Sequence, residues 1–290
     1  MDLFLQFLVN GLVTGSFYAL SALGLTLILG LMRVTNFAHG ELYMMGGIVG
    51  WWVTAKLGLN FFAGLLAVAL IMGAFGWLVD RVLIERIRSQ GDEPGLLLTL
   101  GLSIVIANVA LLVAGSAPQK IDGPFPNAPL FIGPVIITQL RLFAVATCAV
   151  LIVAAHLLIA RTKLGRAMRA TFQDPMAAQL AGIKTSHVYA STFALGTVIT
   201  SLSGMLLGSI YSAQVSVGGL VSLKAFVVVI LGGMGSFAGA IVAGLVLGVA
   251  EAMWGGYLAT GWVDIIGFCI VILTLLIKPY GLFSSRSERA

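Results

Sequence analysis

Long apolar runs organise this chain, and polar positions mark where they end. Runs at about 5–31, 61–79, 95–114, 142–160, 188–212 and 262–277 come close to the roughly 20 mainly apolar residues that a membrane-crossing helix needs. Two more, at about 36–54 and 224–250, are interrupted by glycine and polar residues. No Lys, Arg, Asp or Glu occurs from Thr185 to Ser222, nor from Ala225 to Ala250. Such runs are insoluble in water, and in lipid they must be helical, because every backbone N–H and C=O has to be satisfied internally. The pattern predicts an all-α polytopic membrane protein of about 8 segments, a single integral membrane domain over 1–290. The first run reads as a membrane helix rather than a cleaved leader, since Asp2 spoils a basic start and the run is long.

Charge sets the orientation. Eleven of the 16 Lys and Arg residues fall in three segments: Arg81, Arg86 and Arg88; Arg161, Lys163, Arg166, Arg169 and Lys184; and Lys278, Arg286 and Arg289. The positive-inside rule puts all three in the cytoplasm. The cytoplasmic parts are then 80–94, the loop 161–187 and the tail 279–290, whereas 115–141, with five prolines, is an extracytoplasmic loop. Parity now requires 213–261 to begin and end outside although it holds an apolar run. Two short half-helices meeting at Gly232-Gly233-Met234-Gly235, re-entering the bilayer, satisfy this, and residues 223–231 reach only about 13 Å. The same parity places the N-terminus outside.

Composition excludes several classes. Charged residues are 9% of the chain, against about 25% in a soluble domain, and 59% are hydrophobic. This rules out an ordinary soluble enzyme, a disordered chain and a nucleic-acid binder. Cys148 and Cys269 sit in apolar runs and read as thiols facing core or lipid. No set of His, Cys, Asp and Glu has metal-ligand spacing, and no nucleophile–base pair suggests an enzyme. Gly233-x-Gly235-x-x-Ala238 imitates a dinucleotide fingerprint, but its flanks are membrane sequence rather than a βαβ unit. The 36 glycines include the pairs Gly11/Gly15, Gly46/Gly50, Gly204/Gly208, Gly235/Gly239 and Gly244/Gly248, a spacing that lets helix backbones approach closely in lipid.

The loop 161–187 carries the sharpest local signal. Asp174 suits an N-cap, Pro175 the first helical position and Gly182 the residue after the last turn, which defines a short helix from Pro175 to Ala181. Ser186 can cap the next membrane helix. Ala170, Asp174, Ala178 and Gly182 recur every four residues, as on a small-residue knob for a partner's groove. A helix of this length needs a partner or the membrane domain to hold it.

Ala170-x-x-x-Asp174-x-x-x-Ala178-x-x-x-Gly182-Ile183 resembles the cytoplasmic coupling loop of ATP-binding-cassette (ABC) importer permeases. Asn36-Phe-Ala-His-Gly-Glu41, Lys224-Ala-Phe, Leu231-Gly-Gly-Met-Gly-Ser236 and Gly248-Val-Ala-Glu251 resemble the signature of the branched-chain amino acid (LivH-type) permeases across nearly the whole chain. The resemblance implies the ABC-importer permease fold, residence in the bacterial inner membrane and alternating access for branched-chain or related amino acids. It implies two cytoplasmic ATPases that bind ATP and Mg, a periplasmic substrate-binding protein, and a second permease subunit of LivM-like type. Ala170, Asp174, Pro175, Ala178, Gly182 and Ile183 would then couple to an ATPase, and the chain would need no cofactor of its own. Amides or urea remain alternative cargo, and an ion-coupled secondary transporter of small polar solutes is the alternative mechanism.

Ionisable residues inside a membrane are functional candidates. Asn36, His39, Gly40 and Glu41 open an interrupted run and are read as pathway or hinge residues, as are Gly232, Gly233, Gly235 and Glu251; a structural cluster with Arg33 is the other reading of His39 and Glu41. In a helix, residues 39 and 41 point to different faces. Glu251 is expected near an interface, Asp264 at the outer mouth, His156 at the cytoplasmic boundary and His187 in the loop-to-helix cap.

Overall fold

A computed structural model describes residues 2–32, 35–258, 260–278 and 281–283. Its helices are α1 (Asp2–Met32), α2 (His39–Trp51), α3 (Phe61–Val79), α4 (Glu85–Ile87), α5 (Asp92–Ala114), α6 (Gln139–Arg161), α7 (Lys163–Gln173), α8 (Pro175–Leu180), α9 (Thr185–Ile210), α10 (Gly218–Gly232), α11 (Phe237–Tyr257) and α12 (Val263–Ile277). A π-helical turn at Trp52–Lys56 prolongs α2, and another at Asp80–Ile84 joins α3 to α4. Among the described residues seven helical stretches are long and apolar enough to cross a membrane, and α12 is a shorter apolar one. The protein is an all-α, multi-pass membrane protein.

α1 and α9 are the buried axis, while α5 and α6 expose most of their apolar side chains as a lipid-facing or partner-facing rim. Glycine makes the axis possible. Gly11 and Gly15 lie on the backbone of α11 at Gly244 and Gly248, where a Cβ would overlap main-chain atoms. Gly46 meets Ser201 and Gly204 meets the Tyr43 carbonyl in the same way along α2 and α9. Without a hydrophobic force between helices in lipid, this close van der Waals approach is what holds them. Ser201 Oγ donates across the seam to Leu42 O (2.9 Å) and Ser203 Oγ to Phe17 O (3.3 Å).

The two ends differ. At one, strands β1 (Pro129–Ile132) and β2 (Val135–Thr138) pair antiparallel, with Pro129 opposite Thr138, and the Gln6 side chain bonds both N–H and C=O of Ile136. This ties the start of α1 to the loop assigned outside. At the other end Arg81 pairs with Glu85 (3.1 Å) and Arg88 with the buried Asp80 (2.6 Å), and Arg88 lies over the Tyr189 ring.

Two expectations are corrected here. Ser186 does not cap α9, which begins at Thr185; its hydroxyl instead donates to Glu85, bonding the α4 turn to α9. The pair around Gly232–Gly235 is not two half-helices meeting midway. α10 has 15 residues and α11 has 21, so α11 is long enough to cross alone, at about 1.5 Å per residue. Their turn reaches the end of the bundle that carries α7, opposite the β1–β2 hairpin, where Gly235 faces Gly30 of α1 and Phe172 of α7. α10, prolonged at its start by the 3-10 turn Val215–Val217, begins beside the start of α2, with Gly218 against Gly40 and Glu41.

Candidate functional site

The short helix α8 is built by its caps. Asp174 Oδ1 accepts from the N–H groups of Met176 (2.8 Å) and Ala177 (3.0 Å), and Pro175 occupies the first turn. At the far end Gly182 takes φ +83°, with Gly182 N–H bonding Gln179 O and Ile183 N–H bonding Ala178 O, a doubly closed Schellman turn. The helix packs on α7 and α9 and buries Ala178; Ala170 is half-buried. Met176 and Leu180, four residues apart, are 73% and 86% exposed. The outward face is therefore apolar and large, whereas the small residues let the helix lie close to the membrane domain. Sequence reasoning named the small residues and left out Met176 and Leu180.

The second cluster lies where α2 begins, midway along α1 and α9. Asn36 Oδ1 accepts from Ala38 N–H (3.1 Å), a local turn that points the chain into α2. His39 is fully buried, and its Nε2 lies 3.0 Å from Ser21 O, with the Ser21 and Thr200 hydroxyls each at 3.4 Å. A carbonyl only accepts, so Nε2 carries a proton. Gly40 N–H donates to Ser222 Oγ (2.7 Å), and Ser222 Oγ donates to Phe37 O (3.3 Å). Glu41 turns the other way: Oε1 accepts from Ser103 Oγ (3.4 Å), and the carboxyl lies against Gly218, the first residue of α10. An acid there meets the positive end of the α10 dipole. Asn36 Nδ2, His39 Nδ1 and Glu41 Oε2 have no partner among the described residues. Arg33, the other candidate for this cluster, lies outside the described residues.

A third cluster was not assembled from the sequence. Lys224 Nζ of α10 lies 2.7 Å from Glu251 Oε1 of α11 and 2.9 Å from Asp264 Oδ1 of α12. Tyr18 OH donates to Glu251 Oε2 (2.8 Å), and Lys224 sits over the Tyr18 ring. Glu251 is buried here, not a free charge at a helix end. A signal was present: Lys224 is the only charged residue between Lys184 and Glu251. Gly232, Gly233 and Gly235 form the turn after α10, two of them at positive φ. The backbone at Leu282 and Phe283 donates to Leu231 O and Gly232 O there. His156 lies near Phe237, and His187 Nδ1 is 2.8 Å from Arg81.

Comparison with known proteins gives these features a setting. The chain is 35% identical over 294 residues to the high-affinity branched-chain amino acid transport system permease protein LivH of Escherichia coli (strain K12), covering 96% of this chain and 95% of LivH. It is 33% identical over 292 residues to the corresponding protein BraD of Pseudomonas aeruginosa, covering 96% of this chain and 95% of BraD. A solved structure, PsaBC from Streptococcus pneumoniae in complex with Fab, is similar at a TM-score of 0.47 and 13% identity, over 98% of this chain and 93% of that one. The family model described as branched-chain amino acid transport system / permease component matches residues 7–275. The chain thus belongs to this family of ABC-importer permeases.

Proposed function

We propose that this permease carries branched-chain or related amino acids inward, and that two partner ATPases drive it through α8. The observation that carries the coupling role is the exposed Met176/Leu180 face on a short helix closed at both ends. An isolated helix of six residues is unstable in water. Caps and packing on α7 and α9 hold this one, so it can transmit a push as a rigid peg. The path inward is short. α7 carries Phe172, which contacts Gly235 in the turn that ends α10. A displacement of α8 therefore bears on α10, whose other end meets Glu41 and Gly40.

In this reading ATP and Mg act on the ATPases, this chain does no covalent chemistry, and a second, LivM-like permease completes the conduit. Asn36, His39, Gly40 and Glu41 form a hinge at the broken start of α2. Gly232, Gly233 and Gly235 let the cytoplasmic turn adjust. Glu251 holds Lys224 in place. The cargo assignment is supported by what LivH and BraD are named for.

The test is uptake of radiolabelled leucine by proteoliposomes containing this chain, its co-purified permease partner and ATPases, and the binding protein. Uptake is expected to need internal ATP and to persist when ion gradients are collapsed. Uptake driven by an ion gradient without ATP would overturn the coupling assignment, and ATP-driven uptake that excludes aliphatic amino acids would overturn the cargo.

A further inference from the structure

A cavity of about 290 Å³ lies between α1, α2, α9 and α10, roofed by the segment 211–214. Ala213 of that segment exchanges two backbone hydrogen bonds with Gln119 of the outer loop, so the cavity belongs to the extracytoplasmic half. Met44, Leu207, Val217 and Leu220 make its walls apolar. Tyr43 also lines it, is 5% exposed, and its hydroxyl makes no hydrogen bond among the described residues. Lys224 is the one charged residue in the lining. Its ammonium carries three donors, and Glu251 and Asp264 engage at most two of them.

We infer that this cavity is a transient cargo subsite, in which Lys224 receives the α-carboxylate of an aliphatic amino acid and the apolar walls receive its side chain. The inference rests on the amino-acid reading above and adds the place. A shape this apolar with one fixed cation suits a small molecule that is greasy at one end and anionic at the other. The two carboxylates behind Lys224 hold its ammonium in place. Asp264 is the partner that yields when a cargo carboxylate arrives, because its side chain is 61% exposed and water can take over its solvation, whereas that of Glu251 is 6% exposed. The position also suits release. Lys224 stands on α10, whose cytoplasmic end touches α7 through Gly235 and Phe172, so the stroke that moves α8 can withdraw the cation from the cavity.

A purely structural Lys224 would serve only to neutralise Glu251, and the experiment separates the two roles. Removing Lys224 alone leaves Glu251 buried and unpaired, which destabilises by itself. The informative variant is Lys224→Met combined with Glu251→Gln, which removes both members of the pair. In the reconstituted full transporter it is expected to assemble with its partners but to take up leucine at least about tenfold more slowly at limiting concentration. A second variant, Leu207→Trp, fills the cavity without touching the ion pair. It is expected to raise the alanine-to-leucine uptake ratio by about tenfold or more. Wild-type uptake by the double variant, or an unchanged ratio in Leu207→Trp, would overturn the subsite while leaving the cargo reading intact. A wild-type transporter that takes up neither amino acid would overturn both.

Discussion

The seam between α1 and α11 and the junction between α2 and α10 solve opposite problems. At the seam, Gly11 and Gly15 face Gly244 and Gly248 with main chain on main chain. One arrangement satisfies it, because any shift opens a void or drives atoms together. At the junction two helices begin side by side, and Asn36, His39 and Glu41 each keep one polar atom without a partner among the described residues. Such atoms can change partners, so the junction has alternatives that the seam lacks. The contrast assigns rigidity to the glycine stripe and movement to the broken helices, and it can be attacked from both sides.

The largest effect is expected at the seam. Gly248→Leu places a branched side chain where even a Cβ would overlap the Gly15 backbone and the Gly11 carbonyl. Overpacking that forces a backbone shift is worth about 3 kcal/mol or more, and the variant is expected to be lost as monodisperse protein in detergent. Gly101→Leu is the matched control, since nothing lies within 4 Å of a Cβ there. A Gly248→Leu protein as heat-resistant as that control would end the claim that the seam is rigid.

Leu180→Asp comes next. Leu180 is 86% exposed, so folding should be unaffected. An apolar anchor at the centre of a partner's groove is worth about 2 kcal/mol, and roughly thirtyfold weaker association with the ATPase is expected. Pull-down of the ATPases alongside uptake measures both. Unchanged association and uptake would move the grip away from α8.

Glu41→Gln tests the junction with minimal change of shape. It replaces the carboxyl at the start of α10 by a group that cannot ionise, where a carboxylate's interaction with the helix end is worth up to about 1 kcal/mol, and leaves Ser103 an acceptor. Uptake is expected to fall severalfold with assembly intact. Normal uptake would reduce Glu41 to scaffolding and weaken the contrast with the seam.

How much of this was legible in the sequence follows from the range of each interaction. The caps of α8 were readable because Asp174, Pro175 and Gly182 act on atoms two to five residues away. The glycine pairs were readable as spacing, and parity required 213–261 to begin and end on the same side of the membrane, as Ala213 beside Gln119 and Tyr257 beside Phe7 do. Lys224 and Glu251 are 27 residues apart, and they meet only because α10 and α11 fold back on one another, so pattern could flag the lone lysine without naming its partner. The depth of the Gly232–Gly235 turn depends on Phe172 and Gly30, which no local rule connects. Likewise, the face that α8 presents is decided by what it packs on: Ala178 was read as surface, and α7 and α9 cover it.

The smallest effect is expected at Gly182, and it sharpens the comparison because α8 must be rigid for the junction to be driven. Its φ of +83° lies in the left-handed region, where a Cβ adds strain, and nothing lies within 4 Å of that Cβ to crowd it. Gly182→Ala therefore tests backbone conformation alone. Left-handed strain of about 1 kcal/mol is partly offset by the lower entropy of the unfolded alanine chain. Asparagine tolerates this region better, so Gly182→Asn should lie between alanine and wild type. The readout is amide hydrogen exchange over residues 175–183, faster in the order Gly, Asn, Ala, with ATP-driven uptake falling in the same order. If exchange quickened while uptake held, the peg would not need its C-terminal cap, and the stroke would have to reach α10 by way of α7 without a rigid α8.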